Sequence, residues 1–474
     1  MSIAQSALAK FSSTVLEREK QEWRRGDRRR LTQDYFLNEV EDVYPYHHLN
    51  DLFTQVGPNQ PQHAVNEQLA ERLATLQLER ENAVQEALEL LNEKNRKTSY
   101  ELRERSMLLI LHYVLRRENL DVLDEQFLAN MEEIVIRPKS QLEMLVALNL
   151  FIVTVIEHIS RSADAYMGGY FERKVNRVAE QLRDSIDPES LLDTPIKSNL
   201  VTGYAILQFT LIYGSRHGEE DGYDVVLSLM DMVDNTQETQ VIFHVLQAVA
   251  FIISAMSYPN DLIEELLPRL TALLESGSLD ISSGAGIVIA LCFQTYDYGD
   301  DTKPPSKFNS KVEQIPLDYG ELLTYLKDVS TDLRRRVGNR DLIRQRSLFN
   351  DIRNTIGLFS TSASRNELER EDLVLTHLNG TTMSHVDSWA TLLLLKAFRW
   401  LLGPATAEYF DQNQFLHTAL RDSFYLLPVD YQNAIFGNFG QSQNDPVERH
   451  ARDVQRTKQN RRERQIKQFQ TVES

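Results

Sequence analysis

The residues 386–424, VDSWATLLLLKAFRWLLGPATAEYFDQNQFLHTALRDSF, decide how the rest of the chain is read. Asp387 can cap a helix that carries Trp389, Leu392, Leu393, Ala397, Trp400 and Leu401 at helical spacing. Gly403-Pro404 stops that helix, because glycine suits the residue past the end and proline cannot continue. A final helix carries Phe415, Leu416, Leu420 and Phe424. The run Leu392–Leu395 reads as helix girth buried inside a small domain rather than as a partner groove. Just upstream, LVLTHL-NG-TTMSHV (373–386) alternates apolar and polar residues about Asn379-Gly380, the signal for a tight hairpin. Before that, DLIRQRSLFNDIRNTI (341–356) is basic and amphipathic.

Outward from this segment the pattern is helical. Between Tyr100 and Ser330 apolar stripes begin near Leu102, Leu142, Leu200, Val241 and Gly284, each followed by a more polar partner. Intervals of roughly 40 to 58 residues suit paired helices of the armadillo or HEAT kind better than shorter repeats. One pair cannot bury its own apolar face, so neighbours must stack. The expected fold class is all-α: an armadillo/HEAT-like helical solenoid, then a small, mostly helical C-terminal domain with one β-hairpin, then a basic tail. The expected divisions are a loosely structured segment 1–61, a helical-repeat domain 62–317, a C-terminal domain 318–428 and a tail or lone helix 429–474. The boundary near 318 rests on the long acidic, then proline-rich loop at 294–318. Residues 64–97 carry helical apolar spacing.

Bulk properties exclude several classes. The 474 residues are 42% hydrophobic and 25% charged, as in a soluble globular protein. The single cysteine, Cys292, rules out an internal disulfide and reads as an inert buried thiol. That usage suits the cytoplasm or nucleus. No secretory leader is apparent. The apolar runs 145–156 and 241–256 are shorter than the roughly 20 residues that span a bilayer, so they read as core helices and no membrane partner is expected. His244, on the second run, reads as a core histidine. No phosphate-binding, dinucleotide, zinc-hydrolase or nucleophile-elbow motif occurs, so neither an enzyme nor a small-molecule substrate is expected. No cofactor or metal is expected, and Asp297, Asp300 and Asp301 read as a solvated acidic loop rather than a cation site.

Charge gives the strongest functional signal. The net charge is −18, yet residues 447–470 hold eight basic and three acidic residues, so +5 sits on a body that carries −23. The candidate RNA-binding residues are Arg449, Arg452, Arg456, Lys458, Arg461, Arg462, Arg464 and Lys467. Such side chains neutralise phosphates and release counterions. Arg449, Arg452 and Arg456 would share one helical face. A solvated tail or a nuclear-import signal is the bland alternative. A second basic strip is Arg334, Arg335, Arg336, Arg340, Arg344, Arg346 and Arg353, part of which can be the wet face of a helix. A third basic cluster, Arg24–Arg30 beside Trp23, sits among acidic residues and has the weaker case.

The C-terminal stretch resembles the interferon-related developmental regulator family. The resemblance is carried by Gln345, Arg346, Ser347 and Phe349, and by Trp389, Phe398, Leu402, Gly403, Asn413, Phe415 and Leu416. It is tight over 342–427 and looser over 103–330. The family resemblance implies a non-enzymatic, all-helical protein with an armadillo-like domain. It also implies one of two activities. The leading expectation is a factor that binds translationally inactive 80S ribosomes, both rRNA and ribosomal proteins, and blocks tRNA and mRNA sites. The other is a nuclear co-regulator scaffold for transcription or chromatin proteins. Gln455–Lys467 has the character of the family's basic end. The first hundred residues depart from the vertebrate pattern, so nothing carries over there.

Overall fold

The computed structural model describes residues 84–91, 100–117, 120–161, 169–213, 215, 218–298, 315, 317–332, 339–361 and 388–423. They are mostly helical, with no strand among them. A helical stretch at 84–91 leads in. The main helices follow in two rows. The inner row is α1 (Tyr100–Leu115), α3 (Gln141–Arg161), α5 (Thr194–Ile212), α7 (Thr239–Ile253), α9 (Leu279–Thr295) and α11 (Asn339–Phe359). The outer row is α2 (Glu125–Ile136), α4 (Gly169–Ile186), α6 (Gly218–Asn235), α8 (Asn260–Leu274) and α10 (Tyr319–Asp332). Each inner helix packs on the next inner helix, and each outer helix packs on the inner helix that follows it.

Sequence explains which helix takes which row. In α4 the buried residues are Phe171, Val175, Val178, Ala179, Leu182 and Ile186, one stripe at helical spacing with polar residues elsewhere. In α7 every residue from Val241 to Ile253 is buried except His244. A helix apolar on all sides must be covered on all sides, so it goes inside. The five stripes read from sequence begin on α1, α3, α5, α7 and α9, all inner helices. Side-chain bonds link successive outer helices. Lys174 and Arg177 meet Glu132 at separations of 42 and 45 residues. Tyr223 meets Glu265 at 42, and Arg269 meets Asp231 and Asp234 at 38 and 35.

The stack continues without a break in packing through α10 and α11, which extend the two rows beyond residue 317. After α11 come α12 (Trp389–Leu402), α13 (Thr406–Gln412) and α14 (Gln414–Ser423). α12 packs on α5, α7 and α9, and α14 packs on α3. The expected cap residue shifts by one. Ser388, not Asp387, caps α12, and its Oγ accepts from the Thr391 amide at 3.0 Å. The expected hairpin at Asn379-Gly380 lies outside the described residues. Gly403 ends α12 at φ +52°, a conformation that an L side chain resists, while its amide donates to the Arg399 carbonyl.

α3 is longer than its apolar run suggested. At 21 residues it is long and apolar enough to cross a membrane, yet 89% of its apolar window is buried inside the protein. It also buries Glu143, Asn149 and Glu157. These features belong to a core helix.

Close approach of the inner helices depends on small residues. A Cβ on Gly203 of α5 would lie 2.6 Å from Leu148 Cδ2 of α3 and 3.4 Å from Trp400 of α12. Gly357 of α11 has nothing within 4 Å of such a Cβ. Gly203→Val should therefore cost about 1–3 kcal/mol by overpacking. Gly357→Ala should be stabilising by up to about 1 kcal/mol through helix propensity. Urea unfolding of the two variants checks both signs.

Candidate functional site

The inner face of the stack is where a groove would form, and α12 fills it. The apolar part comes first. Trp389, Leu394, Phe398, Trp400, Leu401 and Leu402 are all buried. Phe398 meets Phe209 of α5 and Phe251 of α7 edge-on, with ring centroids 6.0 and 6.2 Å apart. Phe209 and Phe251 stack at 4.7 Å, and Phe415 of α14 joins Phe209 edge-on at 6.2 Å. Offset and edge-on pairs of this kind add to simple burial.

Polar side chains then fix the register. The Trp400 indole N–H donates to Asn199 Oδ1 of α5 at 2.7 Å. Lys396 Nζ donates to Gln247 Oε1 of α7 at 2.8 Å. The Trp389 backbone N–H donates to Gln294 Oε1 of α9 at 2.8 Å, and its indole N–H donates to Thr355 Oγ1 of α11 at 2.9 Å. Four successive inner helices each supply one acceptor to one face of α12. A buried donor left without an acceptor is costly, so these bonds allow one seating of the helix.

α13 and α14 lock the first two inner helices. Asn413 caps α14, its Oδ1 accepting from the Leu416 amide at 3.1 Å. Its Nδ2 donates to Glu157 Oε1 of α3 at 3.2 Å, where Arg117 also donates at 2.8 Å. Arg117 stands at φ +56° and its guanidinium lies 5.0 Å from the Tyr409 ring centroid. A non-glycine residue there costs about 1–2 kcal/mol, offset by the buried ion pair it makes. The Tyr409 hydroxyl donates to the Val114 carbonyl at 2.8 Å. At the other end, Ser388 Oγ donates to the Ser423 carbonyl at 2.8 Å, so α12 begins where α14 stops.

Several residues that carried the family resemblance are buried or sit at helix ends. Phe349, Phe398 and Leu416 are fully buried, Trp389 and Phe415 nearly so, Asn413 is a cap and Gly403 a helix stop. The run Leu392–Leu395 is helix girth: Leu393, Leu394 and Leu395 are buried and Leu392 is half-buried. Cys292 is fully buried, and burial pushes its thiol up to about 12. One expectation fails. Asp297 is not solvated but buried, its backbone N–H and carbonyl both bonded to the Asn260 side chain. Asp300 and Asp301 lie outside the described residues.

Arg449, Arg452, Arg456, Lys458, Arg461, Arg462, Arg464 and Lys467 lie outside the described residues, as do Arg334, Arg335, Arg336 and the cluster at 24–30. Arg340, Arg344 and Arg346 fall on α11, and Arg353 on the same helix is half-buried. Among the described residues no group of three or more His, Cys, Asp or Glu is arranged to hold a metal ion. Sequence reasoning missed the acceptors Asn199, Gln247, Gln294 and Glu157. Their signal was present: lone amides and a carboxylate inside helices otherwise apolar on every side.

The described residues form a mostly helical stack whose inner face is closed by α12 to α14. The sequence profile of the interferon-related developmental regulator (IFRD) family matches residues 60–357. The chain belongs to that family. The matched span ends before α12, so the stretch 386–424 rests on its own residues. Two relatives are similar in part. An uncharacterized protein of Schizosaccharomyces pombe is 23% identical over 237 residues, 47% of this chain and 51% of its own length. Interferon-related developmental regulator 2 of Mus musculus is 27% identical over 187 residues, 39% of this chain and 36% of its own length. The chain therefore spans about half of the first relative and about a third of the second. IFRD is not a known enzyme family.

Two expectations follow from the buried polar contacts. Gln247→Leu leaves the buried Lys396 ammonium without its amide acceptor and should cost about 1.5–3 kcal/mol. Adding Lys396→Met should restore part of that loss, and a double-mutant cycle by chemical unfolding checks the coupling. His244 is held down to about 3 by burial first and by Lys396 second. Its folded form stays neutral while the unfolded chain takes up a proton below the ordinary histidine range. Stability should therefore fall as pH drops from about 7 toward 5. His244→Leu should flatten part of that slope in melts run across the same range.

Proposed function

We propose that this protein is a non-catalytic factor that binds translationally inactive 80S ribosomes, contacts rRNA and ribosomal proteins, and blocks the tRNA and mRNA sites. One observation carries the reading. An IFRD chain with its inner face filled by its own helix places +5 of charge within residues 447–470, against −23 elsewhere. The acidic body repels RNA in general, so contact belongs to the basic residues Arg449–Lys467 and the strip Arg334–Arg346. Arginine supplies bidentate phosphate contacts and stacking on bases. Bound within the ribosome, a body of this size would exclude tRNA and mRNA by volume. The two rows, with side-chain links 35 to 45 residues apart, support an armadillo/HEAT-like repeat. The protein acts without a cofactor or small-molecule substrate, in the cytoplasm and, under the alternative below, in the nucleus.

Sedimentation of extracts from growing and starved cells tests this reading. Full-length protein should co-migrate with 80S monosomes, more so on starvation. A chain truncated after Gly440 should remain at the top of the gradient. Raising salt from about 50 to 200 mM should weaken the association by several orders of magnitude if six or more phosphates are contacted. Full-length protein absent from 80S under both conditions would overturn the proposal and favour a nuclear co-regulator, with the tail serving import.

A further inference from the structure

An open cleft of about 570 Å³ lies between α4, α5, α6 and α14. Its walls carry four carboxylates, Glu172 and Glu180 of α4 and Asp221 and Asp224 of α6, against one cation, Arg183. Glu180, Asp221 and Asp224 are exposed and Glu172 is half-buried. Tyr204, Tyr213 and Phe415 also line it, with Tyr204 and Phe415 buried and Tyr213 packed on Phe209. Carboxylates on the α4 and α6 walls suit a guanidinium, which takes bidentate bonds at its edge.

The described chain ends on this cleft. Phe415 of α14 lines it, and Asp422, one residue before the end of α14, accepts from the Tyr213 hydroxyl at 2.8 Å. Arg449 follows Ser423 by 26 residues. A chain of that length can reach at most about 90 Å, so its length allows return to the cleft. Being on the same chain raises the segment's effective concentration, which compensates for weak individual ion pairs.

We propose that the cleft docks the chain's own arginine-rich segment, Arg449–Lys467, and that the segment exchanges between the cleft and nucleic acid. The nucleic-acid half rests on the function proposed above, whereas the docking half stands without it. The docked segment is withheld from RNA at low RNA concentration. Ribosomal RNA, with its far higher density of phosphates, competes it away.

Carbodiimide coupling of full-length protein at low salt tests the docking half, because it joins lysine to carboxylate without a spacer. Lys458 or Lys467 should couple to Glu172, Glu180, Asp221 or Asp224, and coupling should fade near about 0.5 M salt. Trypsin supplies the second readout. In the variant Glu180→Gln/Asp221→Asn/Asp224→Asn, cleavage within 449–467 should be roughly five- to tenfold faster than in the parent, from the loss of two or three surface ion pairs. All three positions are exposed, and a melting curve confirms that the variant is folded. Coupling only to other carboxylates, or equal cleavage rates in the two proteins, would overturn the docking. No ribosome is present in either assay, so failure here is separate from failure in the gradient.

Discussion

The seating of α12 on α5, α7, α9 and α11 is the contact on which the rest of the structure depends. α5, α7 and α9 are apolar around most of their girth and cannot face water. Their common surface has to be covered, and the cover is the chain's own segment, many residues later. Burial alone would let that helix slide along its axis, since apolar contact has no direction. Asn199, Gln247, Gln294 and Thr355 remove that freedom, because each accepts from one particular donor on α12. The apolar contacts supply most of the stabilisation and the polar contacts supply the register.

The same arrangement constrains function. A helical stack often binds a partner along its inner surface. Here that surface is already occupied by α12. The outer row is stitched by side-chain links such as Glu132 with Lys174 and Arg177, and Arg269 with Asp231 and Asp234. The Arg269 links are exposed and add little individually, whereas Glu132 is buried beneath its partners. The basic residues at 447–470 contrast in charge with the rest of the chain.

Much of this was legible in the sequence. The stripes beginning at Leu142, Leu200, Val241 and Gly284 marked inner helices, because a helix covered on most sides must be mostly apolar, whereas Leu102 of α1 is itself exposed. Gly403-Pro404 marked the end of α12 for steric reasons that hold in any context. What periodicity could not show was where α12 goes. Its partners lie up to 201 residues away, as with Trp400 and Asn199. Apolar spacing says that a face is buried and not against what. The cap moved from Asp387 to Ser388 because both residues can cap, and only packing against Ser423 chooses between them. Asp297 looked solvated among its acidic neighbours, yet the Asn260 side chain draws its backbone inside.

Amide hydrogen exchange on the full-length protein addresses the central claim most directly. If α12 closes the inner face as part of one cooperative body, its amides should exchange only through global unfolding. Residues 392–402 would then show the same opening free energy as residues 243–253 of α7. Exchange across α12 faster than α7 by several orders of magnitude, under conditions where α7 stays protected, would contradict the account. The inner face would then open in the native protein, and the groove itself would become a binding surface.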